Sequence, residues 1–322
     1  MARQYEALPT LLDRDFAVAF ARPIIDEAGP LLREVVNVGT QIFGRCASEP
    51  GEYERDAEVA ALTLFHTILE FTDGIYVLVT AACGPTMAPL LRSSFEAVAS
   101  LSYMLRDPER FVDRARAWVV GHVFNLVAEQ ERYLQIAESD YPEAVEEDAK
   151  AKSLEAVQAW KELLGQDHLA PVVQEYEAER KRQRRRRVAW FSLWGGSQNR
   201  RELAAQAGRT PDLSVLREYD VFYRRWSAAA HAEELRGAFT QAEEAEGPAV
   251  YRLRNPADLA QNAELAAAFC NSASGLILRW FRPGEFEREN ARREWFEAQV
   301  RPRRERLRRL QQEFGRQHGR AH

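Results

Sequence analysis

Apolar residues recur every three or four positions along nearly the whole chain, and alternation with a period of two is rare. That pattern predicts an all-α protein. Residues from about 11 to 45 read as a first pair of helices, interrupted near Pro23 and Gly29-Pro30. The polar stretch Ala47-Ser48-Glu49-Pro50-Gly51 separates them from a long helix at about 53–82. There Ala57, Ala60, Ala61, Leu64, Phe65, Ile68 and Leu69 form one stripe for burial. Cys83-Gly84-Pro85-Thr86 breaks the chain, with Thr86 placed to cap the next helix and Pro89 tolerable in its first turn. That helix ends near Leu105, before Arg106-Asp107-Pro108. The two strongly apolar helices are expected to pack as an antiparallel hairpin at the centre of a multi-helix bundle.

A further helix is predicted at about 109–138. Another spans about 142–187, broken near Gly165 and Pro171; its Glu, Lys and Arg content suggests an exposed, protruding hairpin. The aromatic loop Trp190-Phe191-Ser192-Leu193-Trp194-Gly195-Gly196-Ser197 follows, then a short helix from Asn199 to Ala207. A helix after Pro211 carries Tyr223 to His231. Glu243 to Pro256 reads as a loop with an extended piece at Ala249-Val250-Tyr251-Arg252-Leu253, and a core helix at about 257–281 stops at Arg282-Pro283-Gly284. The organisation expected is N-terminal helices over 1–52, a main helical domain over 53–282 and an Arg-rich helical extension over 283–322.

Charge changes this picture more than composition does. The formal net charge is −5 over 322 residues, yet residues 180–209 hold ten Lys or Arg against one acid, and residues 279–320 hold thirteen Arg against seven Glu. Such segregation suits either a polyanion-binding face or solvated helix surfaces. Three widely spaced cysteines, Cys46, Cys83 and Cys270, form no C-x-x-C pair and read as small buried hydrophobes in a reducing, cytoplasmic setting. The start MARQYEALPTLLDRDF lacks the basic and apolar regions of a signal peptide. The apolar run from Ile75 to Leu91, broken by Gly84, Pro85 and Pro89, is too short to cross a bilayer. A soluble protein with no membrane partner is expected.

The densest candidate chemistry is Tyr223-Arg224-Arg225-Trp226-Ser227-Ala228-Ala229-Ala230-His231. On an ideal helix Arg224 and His231 align to within about 20°, and Tyr219, Tyr223, Ser227 and His231 form a row at i, i+4. An imidazole that exchanges a proton near neutral pH, beside a guanidinium that stabilises a phosphorane, suffices for RNA cleavage without a metal. The same Ser–His pair also suits an internal hydrogen-bond clamp. Arg92 and Glu96 are i, i+4 neighbours inside an apolar helix, flanked by Leu90, Leu91, Phe95, Ala97 and Val98. They suit a structural ion pair, an orienting role for Glu96 towards His231, or an anion contact by Arg92. His66, Glu70 and Asp73 could join a metal site, but no paired E-x-x-H motif supports one, and no cofactor or metal is expected.

The ordered motifs carry a resemblance. They are Leu90-Leu91-Arg92-Ser93-Ser94-Phe95-Glu96-Ala97, Leu101 to Leu105, Trp194-Gly195-Gly196-Ser197 before Arg201-Glu202-Leu203-Ala204, and Tyr223 to His231. Over about 55–240 the chain resembles a widespread bacterial family of helical proteins known only as a domain of unknown function. The Arg-to-His segment also resembles the motif of HEPN proteins (the higher eukaryotes and prokaryotes nucleotide-binding superfamily), in which four to six residues separate Arg from His; five separate Arg225 and six separate Arg224 from His231. In that superfamily a polar residue usually follows the Arg, whereas Trp226 follows Arg225 here. The likeness implies an all-helical, HEPN-like fold, a homodimer, and metal-independent endoribonuclease activity in phage defence or as a toxin. His231 would then be general base or acid, Arg224 or Arg225 would stabilise the phosphorane, and Ser227 and Tyr223 would orient them. Arg180, Lys181, Arg182, Arg184, Arg185, Arg186 and Arg187 would hold the RNA backbone. The competing expectation is a non-enzymatic scaffold or ligand sensor, with an unidentified protein partner and a buried network of Arg92, Glu96, Ser227 and His231.

Overall fold

The helix that Pro23 and Pro30 were expected to interrupt runs unbroken as α1 (Arg14–Ser48). The lost backbone hydrogen bonds at each proline are outweighed by tertiary burial of a stripe that includes Ala21, Ile24, Ala28, Leu31, Leu32, Val35 and Ile42. A computed structural model of the chain describes residues 14–48, 53–139, 147–184, 187–210, 213–230, 239–241, 248–250, 254, 256 and 258–317. Its helices are α1, α2 (Arg55–Thr80), α3 (Ala88–Met104), α4 (Phe111–Ser139), α5 (Glu147–Leu164), α6 (Ala170–Gln183), α7 (Arg200–Ala207), α8 (Val215–Glu218), α9 (Arg224–Ala230), α10 (Leu259–Phe281) and α11 (Pro283–Gln317). A single antiparallel strand pair, β1 (Phe239–Gln241) and β2 (Pro248–Val250), is the only sheet among the described residues. It includes the first part of the extended piece read from the sequence. The protein is all-α in class.

The chain divides into two compact units. One comprises residues 1–48, 65–98 and 209–322; the other comprises 49–64 and 99–208. The seven positions of the α2 stripe read from the sequence are all buried. By length and composition alone α2 is also apolar enough to cross a membrane.

In the first unit, α1 and α10 run side by side in the same direction. Val35 O lies against Cys270 Sγ, and Arg282 at the end of α10 donates to Arg45 O near the end of α1. Helix α10 is rich in small residues, with Ala263, Ala266, Ala267, Cys270, Ala273 and Ser274 all buried. Small side chains let neighbouring backbones approach closely. At Gly39 a Cβ would collide with Leu69 and crowd Ser274. Burial pushes the Cys270 thiol up to about 12, so it stays protonated. Helix α11 returns antiparallel to both. Arg303 and Arg306 reach Glu27 of α1, Arg304 and Arg308 reach Glu264 of α10, and Leu307 is fully buried. The Arg-rich extension is therefore docked onto the core.

In the second unit, α4 is the backbone of the packing. The segments α5 and α6, expected to protrude, lie against it instead: Val157 packs with Val123 and Val127, while Leu169, Val172 and Tyr176 pack with Ala117 and Val120. Their charges cover an apolar edge too narrow to stand out in a polar sequence. Tyr176 stacks on Phe124 at 4.4 Å, and its hydroxyl accepts a hydrogen bond from Val188 N–H. The aromatic loop forms a 3-10 turn at Trp190–Gly195, followed by Gly196, where a Cβ would collide with Phe191 O and crowd Tyr103 Oη. Asn199 then caps α7, accepting from Glu202 N–H at 3.0 Å.

Asp56 opens α2 in this unit. Its carboxylate accepts from Arg116 Nε at 2.9 Å and faces His168 Nε2 at 3.5 Å. Partial burial alone would raise its pKa, but hydrogen bonding and charge from Arg116 prevail and hold it below the usual carboxylate value. A folded pKa below the unfolded one contributes stability fully above about pH 4, and that contribution is lost as pH falls through the folded value. Asp56→Asn is therefore expected to lower stability at pH 7 by up to about 1 kcal/mol. The gap to wild type should narrow as pH falls below the usual carboxylate range in urea unfolding measured across pH.

Candidate functional site

The element carrying the candidate motif is not a plain α-helix. Thr210 and Leu213 close the turn before it: Thr210 N–H donates to Leu213 O at 2.9 Å, and Thr210 Oγ1 bonds Ser272 of α10 at 3.1 Å. After α8, residues Tyr219–Tyr223 form a π-turn, and α9 begins at Arg224. A π-turn holds more residues per turn than the 3.6 of an α-helix, so everything after it is rotated relative to an uninterrupted helix. Tyr223 and Trp226 thereby face the core, 8% and 3% exposed, while Arg224 and Arg225 face outward.

Phe95 of α3 is the hub on which this element sits. Its ring lies 5.6 Å from Tyr223, 6.2 Å from Trp226, 6.3 Å from Tyr219 and 6.1 Å from Phe269 of α10, each tilted. Trp226 meets Phe269 edge-on at 6.0 Å, and Tyr219 stacks on Tyr223 at 4.6 Å. Aromatic pairs at these separations and angles are attractive beyond the area they bury.

Beside the hub lies the polar node. Tyr223 Oη donates to Glu96 Oε1 at 2.7 Å, Arg92 Nε donates to the same oxygen at 3.3 Å, and the Arg92 guanidinium lies 5.6 Å from the Tyr223 ring centre. Partial burial of Arg92 disfavours its charge, but Tyr223 and Glu96 more than offset this and hold its pKa above the ordinary value. Arg92 and Glu96 thus form the ion pair expected at i, i+4, with a facing tyrosine as third member. Both side chains keep about a quarter of their surface open, 25% and 22%.

The other predicted residues are placed as follows. Arg225 Nη2 pairs with Asp258 Oδ2 at 2.5 Å, an acid just before α10 in the left-handed conformation. Nothing in the sequence singled out Asp258. Arg224 is exposed and makes no ion pair among the described residues, and Ser227 is half-buried. His231 lies outside the described residues, as do Arg185 and Arg186. At the end of α6, in the second unit, Arg180 pairs with Glu177, Arg182 with Glu179 and Glu175, and Arg187 with Glu129. Lys181 and Arg184 are exposed and without ion pairs among the described residues.

His66 faces Glu70 at 3.5 Å on the surface of α2. Among the described residues, no group of three or more His, Cys, Asp or Glu side chains converges as metal ligands would.

An all-helical chain with this ordered set of motifs has a family. The chain belongs to the family of unknown function DUF5677, whose model matches residues 58–244, more than half of its length. No curated protein and no solved structure gave a match.

The site's energetics are asymmetric across α9. Truncation of the hub, Phe95→Ala, should cost about 3–5 kcal/mol in urea unfolding. Arg224→Ala, on the outward face, should stay within about 0.5 kcal/mol of wild type.

Proposed function

We propose that the outward face of α9 is the working face of a metal-independent endoribonuclease of the HEPN kind, acting in phage defence or as a toxin. The observation that carries this reading is the split within one short helix: Tyr223 and Trp226 anchor it, while Arg224 is presented to solvent without an ion-pair partner among the described residues. The spacing of Arg224 seven positions before His231 supplies the second catalytic group. The same proposal takes α2 and α3 as the central antiparallel hairpin of a HEPN-like bundle, and a homodimer as the assembly that brings two His231 residues to one RNA.

In this mechanism His231 removes the proton from a ribose 2′-hydroxyl, whose oxygen attacks the adjacent phosphorus. Arg224 stabilises the charge that builds on the phosphorane, with Arg225 adding to it when it leaves Asp258. The P–O5′ bond breaks, the departing 5′-oxygen takes a proton from water, and the ends left are a 2′,3′-cyclic phosphate and a 5′-hydroxyl. Tyr223 serves by position: its bond to Glu96 fixes the start of α9. Ser227, half-buried one turn on, would orient His231. The basic residues 180–187 would hold the RNA backbone, the exposed and unpaired Lys181 and Arg184 foremost.

A specific observation favours a second reading, a non-enzymatic scaffold or ligand sensor. Glu96, the carboxylate suited to orienting an imidazole, is engaged by Tyr223 and Arg92, and Arg225 is engaged by Asp258. Incubation of total RNA with purified protein in EDTA separates the two. The enzyme reading expects cleavage with cyclic phosphate ends, none by His231→Ala, and a rate lowered on the order of 100-fold in Arg224→Ala. Intact RNA with wild type, or undiminished cleavage by His231→Ala, leaves the scaffold reading in its place.

A further inference from the structure

We infer that Trp194 and the basic end of α6 form one binding surface for single-stranded RNA, with a base stacked on the indole and neighbouring phosphates against Lys181 and Arg184. The inference rests on the RNA reading above, but it uses no residue of α9.

Trp194 is the unusual residue of its loop. Its backbone is left-handed, with φ 52° and ψ 36°, a conformation that bulky side chains avoid. Its side chain is 38% exposed despite being the largest apolar type. A strained backbone that turns an indole towards solvent persists only where the surroundings hold it, and such residues cluster at binding sites. Here the holding groups are visible: Trp194 N–H donates to Glu175 Oε1 at 3.0 Å, and Gly196 packs tightly under Phe191 O.

The same carboxylate links the indole to positive charge. Glu175 Oε1 also faces Arg182 Nη2 at 3.6 Å, and Arg182 keeps 57% of its side chain exposed. Gln183, next along α6, donates to Ser192 Oγ in the aromatic loop at 3.4 Å, so the end of α6 and this loop are one surface. Lys181 and Arg184 flank Arg182 and Gln183, exposed and unengaged by acids among the described residues. An exposed aromatic face beside unpaired cations is the combination that binds single strands, since every base has a face to stack and every nucleotide a phosphate to neutralise. Duplex RNA, whose bases are already stacked, gains nothing from the indole.

The test is fluorescence anisotropy of a labelled oligouridylate with the full chain carrying His231→Ala, so that the probe stays intact. Trp194→Gly suits the left-handed backbone and is expected to keep a cooperative unfolding transition while weakening binding by about tenfold or more. Trp194→Phe should retain most of the affinity, and binding of the parent should fall steeply as salt rises. Unchanged affinity in Trp194→Gly, equal affinity for duplex RNA, or no binding by the parent overturns the inference. Its fate is separable from that of the enzyme reading. Trp194-dependent binding without cleavage by wild type upholds this surface and removes the nuclease. Cleavage that needs His231 but not Trp194 does the reverse.

Discussion

The contact on which the candidate site depends is the meeting of Phe95 with Tyr223 and Trp226, closed at its edge by the hydrogen bond from Tyr223 to Glu96. The aromatic faces give the apolar part of the junction. The Tyr223 hydroxyl, which burial would otherwise leave costly, finds a charged acceptor already neutralised by Arg92. The junction is formed by residues 127 positions apart in the chain, so it ties the motif of α3 to that of α9. It also decides orientation: once Tyr223 and Trp226 are inward, Arg224 and Arg225 have only the outer face left.

Sequence charge and available charge differ widely in this protein. The Arg-rich α11 spends Arg303, Arg304, Arg306 and Arg308 on two acids, Glu27 and Glu264, around a buried leucine. The basic end of α6 likewise spends Arg180, Arg182 and Arg187 on neighbouring glutamates. Exposed pairs of this kind are individually weak, yet they lower the field that a polyanion would meet. Among the predicted site residues that are described, only Lys181, Arg184 and Arg224 are without ion pairs, a smaller set than the composition suggests.

Helix positions were legible because long apolar stripes leave little choice of face: the seven stripe positions of α2 followed directly from spacing, and the short helix read at 199–207 is α7. The Arg92–Glu96 pair was legible for the same reason, two charges one turn apart inside an apolar helix. Three features were not. Continuity of α1 through Pro23 and Pro30 depends on partners far away in sequence. The packing of α5 and α6 rests on a few residues, Val157, Val172 and Tyr176, hidden among charges. The π-turn at Tyr219–Tyr223 breaks the 100° rule on which facing arguments rest, and nothing in that stretch announces it. Asp258 and the left-handed Trp194 belong to the same class, fixed by tertiary context alone.

The central claim, that Tyr223 and Glu96 act as one unit holding α9 to α3, is tested most directly by a double-mutant cycle in urea unfolding. Tyr223→Phe should cost about 1–2 kcal/mol in the wild-type background and nearly nothing once Glu96→Ala is present, a coupling on the order of 1 kcal/mol. Equal cost in both backgrounds would contradict the claim and leave the aromatic hub alone to hold the element.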